Sequence, residues 1–125
     1  MKINRMLTTL CTTNLEESKR FYVELFDFKA QFSSDWFIQL VSEDKQFELG
    51  LLQANHELIP EQFRGIPRGM YLTLVVDRVD AIYEKASTLN FEIIQPPHAT
   101  PYGQKRCLIK DPTGTLVDVS SPDSA

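Results

Sequence analysis

Residues 14–22, Asn14-Leu15-Glu16-Glu17-Ser18-Lys19-Arg20-Phe21-Tyr22, mark the step from a strand to a helix. Asn14 supplies a hydrogen-bond acceptor where the helix would begin, and Glu17 follows three residues later, which is the spacing of a capping box. Apolar residues then recur at helical spacing as far as Phe26. The preceding run, residues 5–12, is short, apolar and β-branched, so it predicts a strand that leads into this helix.

The same order of elements is predicted twice along the chain. After the first helix, strands are predicted at residues 28–32, 35–42 and 46–53. A connector follows over residues 54–68, with one helical turn around 60–63. The second set then has a strand at 69–76, a helix capped by Asp77, and strands at 91–95, 104–110 and 115–120. Asp111-Pro112-Thr113-Gly114, before the last strand, is typical of a type I turn.

A shift of about 64 residues superposes the two sets, since it carries Asn14 to Arg78 at the step from strand to helix. The matched order of all the elements indicates an internal repeat. The sequence therefore predicts an α+β fold of two tandem βαβββ modules, over about residues 1–64 and 65–125. Because 125 residues is the usual size of one domain, both modules are assigned to a single domain.

Composition restricts the partners of the chain. Its net charge is −4, and such an acidic chain lacks the excess positive charge that binds nucleic acid or anionic membranes. No apolar stretch reaches the length of a membrane span. Cys11 and Cys107 both lie in strand-like apolar runs, which predicts buried free thiols and a cytoplasmic protein. We therefore expect a small-molecule ligand, no nucleic acid and no membrane.

Three segments resemble the vicinal oxygen chelate superfamily, which includes glyoxalase I, extradiol dioxygenases, and fosfomycin- and bleomycin-resistance proteins. They are residues 14–22, residues 25–28 (Leu-Phe-Asp-Phe) and residues 111–119. The resemblance runs from about residue 5 to residue 122. It implies that the sheets curl into an open cup with the helices packed outside, and that the chain forms a homodimer. In metal-dependent members, ligands from the first and last strands of each module, often histidines and glutamates, hold one divalent ion.

The resemblance also implies where those metal ligands would lie in this sequence. The first-strand positions fall on Leu7 and Tyr71. The last-strand positions fall on Asp118 and on Glu48 or, with a register shift, Gly50. Leucine cannot bind a metal, and the high pKa of tyrosine makes it a poor ligand for Zn²⁺, Ni²⁺ or Mn²⁺ at neutral pH. Neither histidine falls in a predicted strand.

A catalytic transition metal normally takes three protein ligands, and these positions offer at most two carboxylates and no imidazole. We therefore expect no metal and no other cofactor. Two carboxylates that bind Mg²⁺ weakly, together with waters and substrate, are the alternative.

Strand alternation predicts which side chains line the cup. Phe47, Leu49 and Leu51 are expected to pack inward against the helix. The expected ligand-binding residues are Thr9, Phe37, Gln39, Glu48, Tyr71, Thr73, Arg106 and Asp118. This mixture of aromatic and polar groups is typical of small-molecule sites, which have apolar walls and few polar anchors.

Three functions from different classes fit this surface. The first is a metal-free binding protein of the bleomycin-resistance type, which takes an aromatic or cationic compound. The second is a lyase, isomerase or dioxygenase that uses Glu48 or Asp118 as a sparse metal site or as a catalytic base, whose pKa an apolar cup could raise. The third is an interaction module whose cup is filled by its own side chains. The missing histidines favour the first function.

Overall fold

The computed structural model describes residues 1–123 and divides into two compact units, Met1–Ile66 and a second unit that begins at Pro67. The first unit contains β1 (Thr8–Thr12), α1 (Leu15–Phe26), β2 (Lys29–Ser33), β3 (Phe37–Val41) and β4 (Glu48–Gln53), followed by a 3₁₀ turn at Glu61–Phe63. The second contains β5 (Leu72–Val75), α2 (Val79–Thr88), β6 (Glu92–Ala99), β7 (Gln104–Lys110) and β8 (Leu116–Pro122). Both units have the order β-α-β-β-β, which confirms the predicted fold class. Neither α-helix within residues 1–123 has the length and apolar composition of a membrane span.

The strands of the first unit form a mixed sheet, sheet 1, in the order β1-β4-β3-β2. β1 runs parallel to β4, and the other neighbours are antiparallel. One face of sheet 1 packs against α1 through Phe21, Tyr22 and Leu25, which are all buried. The sheet residues on that face are also apolar and buried: Leu10, Ile38, Leu40, Leu49 and Leu51. Because side chains alternate along a strand, the remaining residues project from the opposite face, called the distal face of sheet 1.

The start of α1 follows the predicted cap. The Asn14 side chain accepts a hydrogen bond from the backbone N–H of Glu17 at 3.1 Å. The backbone N–H of Asn14 donates to the hydroxyl of Thr12 at 3.0 Å, so Thr12 supplies the second bond of the capping arrangement. The buried hydroxyls of Thr12 and Ser18 lie 2.7 Å apart. These contacts tie the first turn of α1 to the end of β1.

The strands of the second unit form sheet 2 in the order β5-β8-β7-β6, with β5 parallel to β8. α2 contacts β6, β7 and β8. The buried apolar residues of the unit are Val79, Ala86, Cys107, Ile109, Val117 and Val119. The face of sheet 2 opposite α2 is its distal face.

The predicted cap of α2 is wrong. Arg78, not Asp77, precedes the helix, and its side chain makes no capping hydrogen bond. The hydroxyl of Ser121, which is buried in β8, accepts from the first helical N–H, that of Val79, at 3.1 Å. A serine from a distant strand therefore does the capping, and the local sequence carries no sign of it.

Three other predictions differ from the structure. Phe47 is 64% exposed instead of packing inward, because β4 begins only at Glu48, and Phe47 belongs to the turn before it, where it hydrogen-bonds to Ser42. His98 lies within β6, since register shifts around Gln95 allow this edge strand to continue past two prolines. Cys11 is only partly buried, whereas Cys107 is fully buried as expected; both are free thiols.

Candidate functional site

The predicted site residues of the first unit share the distal face of sheet 1. Thr9 and Gly50 are register partners across β1 and β4, and Gln39 is opposite Gly50 across β3 and β4. Phe37 and Glu48 each lie two residues from one of these positions along their own strand. Side chains two residues apart in a strand project from the same face. The structure therefore brings Thr9, Phe37, Gln39 and Glu48 together.

Glu48 is the centre of a polar network on this face. The Nε and Nη2 atoms of Arg5 donate to the two carboxylate oxygens of Glu48 at 2.6 Å and 2.5 Å, a bidentate ion pair. The Nε2 atom of Gln39 also donates to Glu48 Oε1 at 2.7 Å. The Glu48 side chain is 15% exposed and the Arg5 side chain 60% exposed, so the network lies at the boundary with solvent.

These contacts determine the protonation of Glu48. The hydrogen bond from Arg5 lowers the pKa of Glu48 below its ordinary value, and the bond from Gln39 and the charge of Arg5 act in the same direction against the effect of burial. The same pair raises the pKa of Arg5. The alternative function, an enzyme that uses Glu48 or Asp118 as a base, would be helped by a raised pKa, and at Glu48 the direction of the shift is the opposite. Glu48 is thus an ionised, weakly basic carboxylate at neutral pH.

Arg5 itself is a site residue that the sequence reading missed. It has the same parity as Leu7, Thr9 and Cys11, so strand alternation carried toward the N-terminus would have placed it on the distal face. In the structure β1 begins only at Thr8, and residues 1–7 have no regular secondary structure. The ion pair with Glu48, not strand pairing, holds Arg5 in place.

An aromatic ring takes the place of a side chain at Gly50. A Cβ atom built on Gly50 would lie 2.9 Å from Cε1 of Phe37 and 3.0 Å from the hydroxyl oxygen of Thr9. Such distances are shorter than real carbon contacts, so the Phe37 ring lies directly over the Gly50 backbone. Glycine is required at this position because of the close approach, not because of an unusual backbone angle.

Phe32 extends this aromatic surface and was also missed. Its ring centroid lies 6.3 Å from that of Phe37, and its surface is 53% exposed. A register shift between Ala30 and Phe32 pairs Phe32 with Gln39. Without that bulge, regular alternation would have paired Phe32 with Ile38, on the side covered by α1. The bulge carries no sequence signal that alternation alone could detect.

Asp118 is the corresponding carboxylate of the second unit, and it is buried. Its Oδ1 atom accepts a hydrogen bond from the hydroxyl of Ser120 at 2.9 Å, and its Oδ2 atom accepts from the hydroxyl of Thr73 at 3.3 Å. Arg106 Nε lies 3.3 Å from Asp118 Oδ1 as an ion pair, although its N–H is not aligned for a hydrogen bond. The Asp118 side chain is 8% exposed.

The predicted site residues of the second unit are thus only partly gathered. Thr73, Arg106 and Asp118 meet on the distal face of sheet 2. Tyr71 precedes β5, is half exposed, and has no hydrogen bond or ring contact with the described residues. His98 is opposite Arg106 across β6 and β7, and its Nδ1 atom lies 3.0 Å from the Pro96 carbonyl oxygen.

The strand registers show which residues are equivalent in the two units. Thr73 is opposite Asp118 across β5 and β8, and Thr9, which corresponds to Thr73 by the shift of 64 residues, is opposite Gly50. Gly50 is therefore the counterpart of Asp118, and Glu48 lies two residues earlier. The register decides between the two alternatives that the sequence left open.

The residues at the four expected metal-ligand positions do not fit a divalent metal. They are Leu7, Gly50, Tyr71 and Asp118, which include one carboxylate and no imidazole. Within residues 1–123, no group of three or more His, Cys, Asp and Glu side chains is placed to hold a metal ion. A transition metal that takes three protein ligands has no such set here.

Comparison with known proteins agrees with the fold. A structure of a glyoxalase-related enzyme from Fulvimarina pelagi has a TM-score of 0.78 at 22% identity and covers 95% of this chain and 88% of its own. Lactoylglutathione lyase from Agrobacterium tumefaciens has a TM-score of 0.74 at 18% identity, with 98% and 96% coverage. TioX from Micromonospora sp. ML1 has a TM-score of 0.71 at 16% identity, with 94% and 95% coverage. At these identities the likeness concerns the fold alone.

No curated protein sequence matches the chain significantly. The sequence model of one family, however, matches residues 2–119, nearly the whole chain. That match shows the family of the chain, and the two β-α-β-β-β units and the structural relatives agree with it. The chain belongs to the Glyoxalase/Bleomycin resistance protein/Dioxygenase superfamily.

Proposed function

We propose that the protein is a metal-free small-molecule-binding protein that takes a planar aromatic compound on the distal face of sheet 1. The observation that carries this proposal is the Phe37 ring over Gly50, the counterpart of Asp118. A position that would supply a metal ligand in metal-dependent relatives is here covered by an aromatic surface. Phe32 continues that surface and is exposed. Offset stacking on the Phe37 ring, with the Phe32 ring tilted by 40° beside it, favours a flat aromatic ligand.

The polar groups beside this surface favour a ligand with a positive charge or hydrogen-bond donors. Glu48 is ionised at neutral pH because its pKa is lowered. A cation near an aromatic face gains cation–π attraction in addition to its attraction to a carboxylate. An apolar wall with one charged anchor and one amide is the usual composition of a small-molecule site. The proposed ligand is therefore aromatic, with a cationic group near Glu48.

The geometry gives less support to a lyase, isomerase or dioxygenase. A metal-dependent reaction would need ligands that Leu7 and Gly50 cannot supply. A metal-free reaction that uses Glu48 as a base would suffer from its lowered pKa, since a weakly basic carboxylate abstracts protons poorly. Asp118 is already engaged by two hydroxyls and an arginine. Binding without chemistry is the function that these residues support best.

A matched pair of ligands tests the proposal. Acridine and 10-methylacridinium have nearly the same shape, and at pH above neutrality only the second is charged. Trp36, the single tryptophan, has its ring centroid 6.0 Å from that of Phe37, so its fluorescence reports binding at this face. We expect both compounds to bind, the cation more tightly, and thermal stability to rise by about 2.7 kcal/mol at about 100 times Kd.

Phe37→Ala and Phe47→Ala are the matched variants for this experiment. Both remove a phenylalanine, but Phe47 lies in the turn before β4 and is 64% exposed. Phe37→Ala should weaken acridine binding about tenfold, as expected for loss of one stacked ring, whereas Phe47→Ala should leave acridine binding unchanged. Absence of binding to the wild-type protein, or equal losses in both variants, would contradict the proposal. Stoichiometric Ni²⁺, Zn²⁺ or Fe²⁺ in the purified protein would overturn its metal-free part.

A homodimer is also part of the proposal. Val75, in the edge strand β5 of sheet 2, is 71% exposed, and Tyr71, just before that strand, is also exposed. Exposed apolar side chains and an unpaired strand edge are features that association covers. Sedimentation of the wild-type protein and of Val75→Glu is the test. A wild-type monomer at all concentrations would contradict the dimer.

We further propose a cytoplasmic location, since Cys11 and Cys107 are free thiols and disulfides belong mainly to oxidising compartments. Cell fractionation with an antibody against the protein tests this. Recovery from a secreted or periplasmic fraction would contradict it.

A further inference from the structure

We propose that the carboxylate of Glu48 and the amide of Gln39 form a binding site for a guanidinium or alkylammonium group, which the chain fills with its own Arg5 until a ligand replaces it. The ligand class rests on the proposed function, but the site itself rests on the geometry of these three residues. Its consequence is that Arg5 competes with the ligand and thereby sets the affinity for cations.

Gln39 and Glu48 are fixed in the sheet, whereas Arg5 lies outside it. Gln39 lies in the middle of β3, and Glu48 is the first residue of β4, which pairs with both β1 and β3. Their positions are fixed by the backbone hydrogen bonds of the sheet. Arg5 lies outside the sheet, in residues 1–7, which have no regular secondary structure. Its side chain is 60% exposed, against 15% for Glu48.

Departure of Arg5 would leave a receptor that needs no rearrangement. The bond from Gln39 Nε2 to Glu48 Oε1 orients the carboxylate independently of Arg5. Oε2 would then be free, and Oε1 would keep a second acceptor position beside the bond from Gln39, so the carboxylate could accept a pair of parallel N–H donors, the geometry that a guanidinium matches. The aromatic surface of Phe37 and Phe32 on the same face would contact the apolar part of such a ligand.

Opening the network should be easy because Arg5 is exposed. Release of the exposed Arg5 side chain should cost little, since water solvates the guanidinium. The empty site is nevertheless a minor state while Arg5 is bound. Apparent affinity for a ligand falls in proportion to the fraction of molecules in the competent state. Removal of Arg5 should therefore tighten cation binding and leave neutral compounds unaffected.

Arg5→Ala and Lys2→Ala are the variants that test this inference. Both remove one positive charge from the same irregular segment, and Lys2 is exposed, with no ion pair or hydrogen bond among residues 1–123. Methylguanidinium is the first probe, followed through the NMR signal of the Gln39 side-chain amide. The second probe is 10-methylacridinium, with acridine as its neutral control. Thermal melting of each variant establishes that it is folded, and Arg5→Gln serves as a milder substitution.

We expect Arg5→Ala to bind both cations about fivefold more tightly than the wild-type protein, because the ion pair with Arg5 no longer has to be opened first. Lys2→Ala should match the wild-type protein, and acridine should bind all three alike. Addition of Glu48→Gln to Arg5→Ala should abolish the response of Gln39 to methylguanidinium.

Equal cation affinities in Arg5→Ala and Lys2→Ala would overturn the inference, since charge alone would then explain any change. Binding of acridine that depends on Phe37, but with no effect of Arg5, would leave the proposed function intact. A response of Gln39 to methylguanidinium in Arg5→Ala, without binding of either acridine compound, would support the cation site and contradict the aromatic ligand.

Discussion

The distal faces of the two sheets each carry a carboxylate with an arginine beside it, Asp118 with Arg106 and Glu48 with Arg5, yet the two pairs differ in burial and in their further partners. Asp118 lies in the interior of β8, is almost fully buried and also accepts hydrogen bonds from two hydroxyls. Glu48 begins β4, and its arginine comes from an irregular, exposed segment. A repeated unit has thus placed a structural charge in one copy and an exchangeable charge in the other.

The difference follows from which position of the repeat holds the acid. Asp118 is at the position opposite the first-strand threonine, Thr73, where neighbouring strands surround the side chain. In sheet 1 that position is Gly50, and the Phe37 ring covers it. The acid of sheet 1 lies two residues earlier, at the start of β4, where solvent and an arginine from the irregular segment reach it. Burial turns a charge into part of the structure, while partial exposure leaves it available to a ligand.

Asp118→Ala, compared with Glu48→Ala, should give the largest difference in stability between the two faces. It would leave the mostly buried Arg106 without its counter-charge and the hydroxyls of Thr73 and Ser120 without an acceptor. We expect a loss of about 2–4 kcal/mol in the free energy of unfolding, measured with urea. Glu48→Ala should cost clearly less, because Arg5 is released to water. Equal losses in the two variants would remove the distinction drawn between the faces.

The two cysteines, Cys11 in sheet 1 and Cys107 in sheet 2, differ in burial and in how far their thiol pKa is raised. Burial, together with the charges of Asp118 and Asp80, raises the pKa of Cys107 to about 11 from 9.0. Burial alone raises the pKa of the partly exposed Cys11. A thiol whose pKa is raised by folding contributes stability that is present below its unfolded pKa and is lost as pH rises toward the folded value.

Cys107→Ala should therefore lose less stability than the wild-type protein as the pH rises from 9 to about 11. The gap between the two unfolding free energies should narrow by about 2 kcal/mol over that range. Cys11→Ala is the control and should show a smaller change. Parallel pH profiles for the wild-type protein and Cys107→Ala would show that this thiol is not shielded as the structure indicates.

Much of the fold was accessible from the sequence because it depends on local signals. The cap at Asn14, the apolar face of α1 and the turn at residues 111–114 all arise from residues close together in the chain. The repeat then extended these signals to both units. The prediction of the α2 cap was wrong because that cap is not local: it comes from Ser121 in β8.

The candidate site was predicted less completely because it depends on strand register. Alternation correctly grouped Thr9, Phe37 and Gln39 with Glu48, but it could not choose between Glu48 and Gly50 as the counterpart of Asp118. One bulge in β2 sends Phe32 to the distal face, and an arginine outside the strand completes the network. Bulges and contacts from irregular segments are tertiary events, which the period of a sequence does not encode.

Gly50→Ala tests the position at which sheet 1 has a glycine under the Phe37 ring and sheet 2 has Asp118. The new Cβ would lie 2.9 Å from Phe37 Cε1, so the ring must move away from the backbone. We expect a loss of about 1–2 kcal/mol in the free energy of unfolding, typical of overpacking. Phe37→Leu provides more room, and in that background Gly50→Ala should cost less than half as much. An equal cost in both backgrounds would mean that Phe37 does not cover Gly50.

The smallest effect concerns the pH dependence of the exchangeable pair. Arg5 lowers the pKa of Glu48 below its ordinary value of 4.5, so the stability that the pair contributes is present above that value and is lost as pH falls through the folded pKa. The wild-type protein should thus be slightly more stable than Arg5→Ala at neutral pH, and the difference should disappear at acidic pH, once Glu48 is protonated. Urea midpoints at both pH values measure this, and Lys2→Ala controls for the change in net charge. NMR titration of Glu48 should show its pKa rising toward the ordinary value in Arg5→Ala. An unchanged pKa would mean that Arg5 does not hold this carboxylate in solution, and Glu48 would then be open to ligands without any competition from the chain.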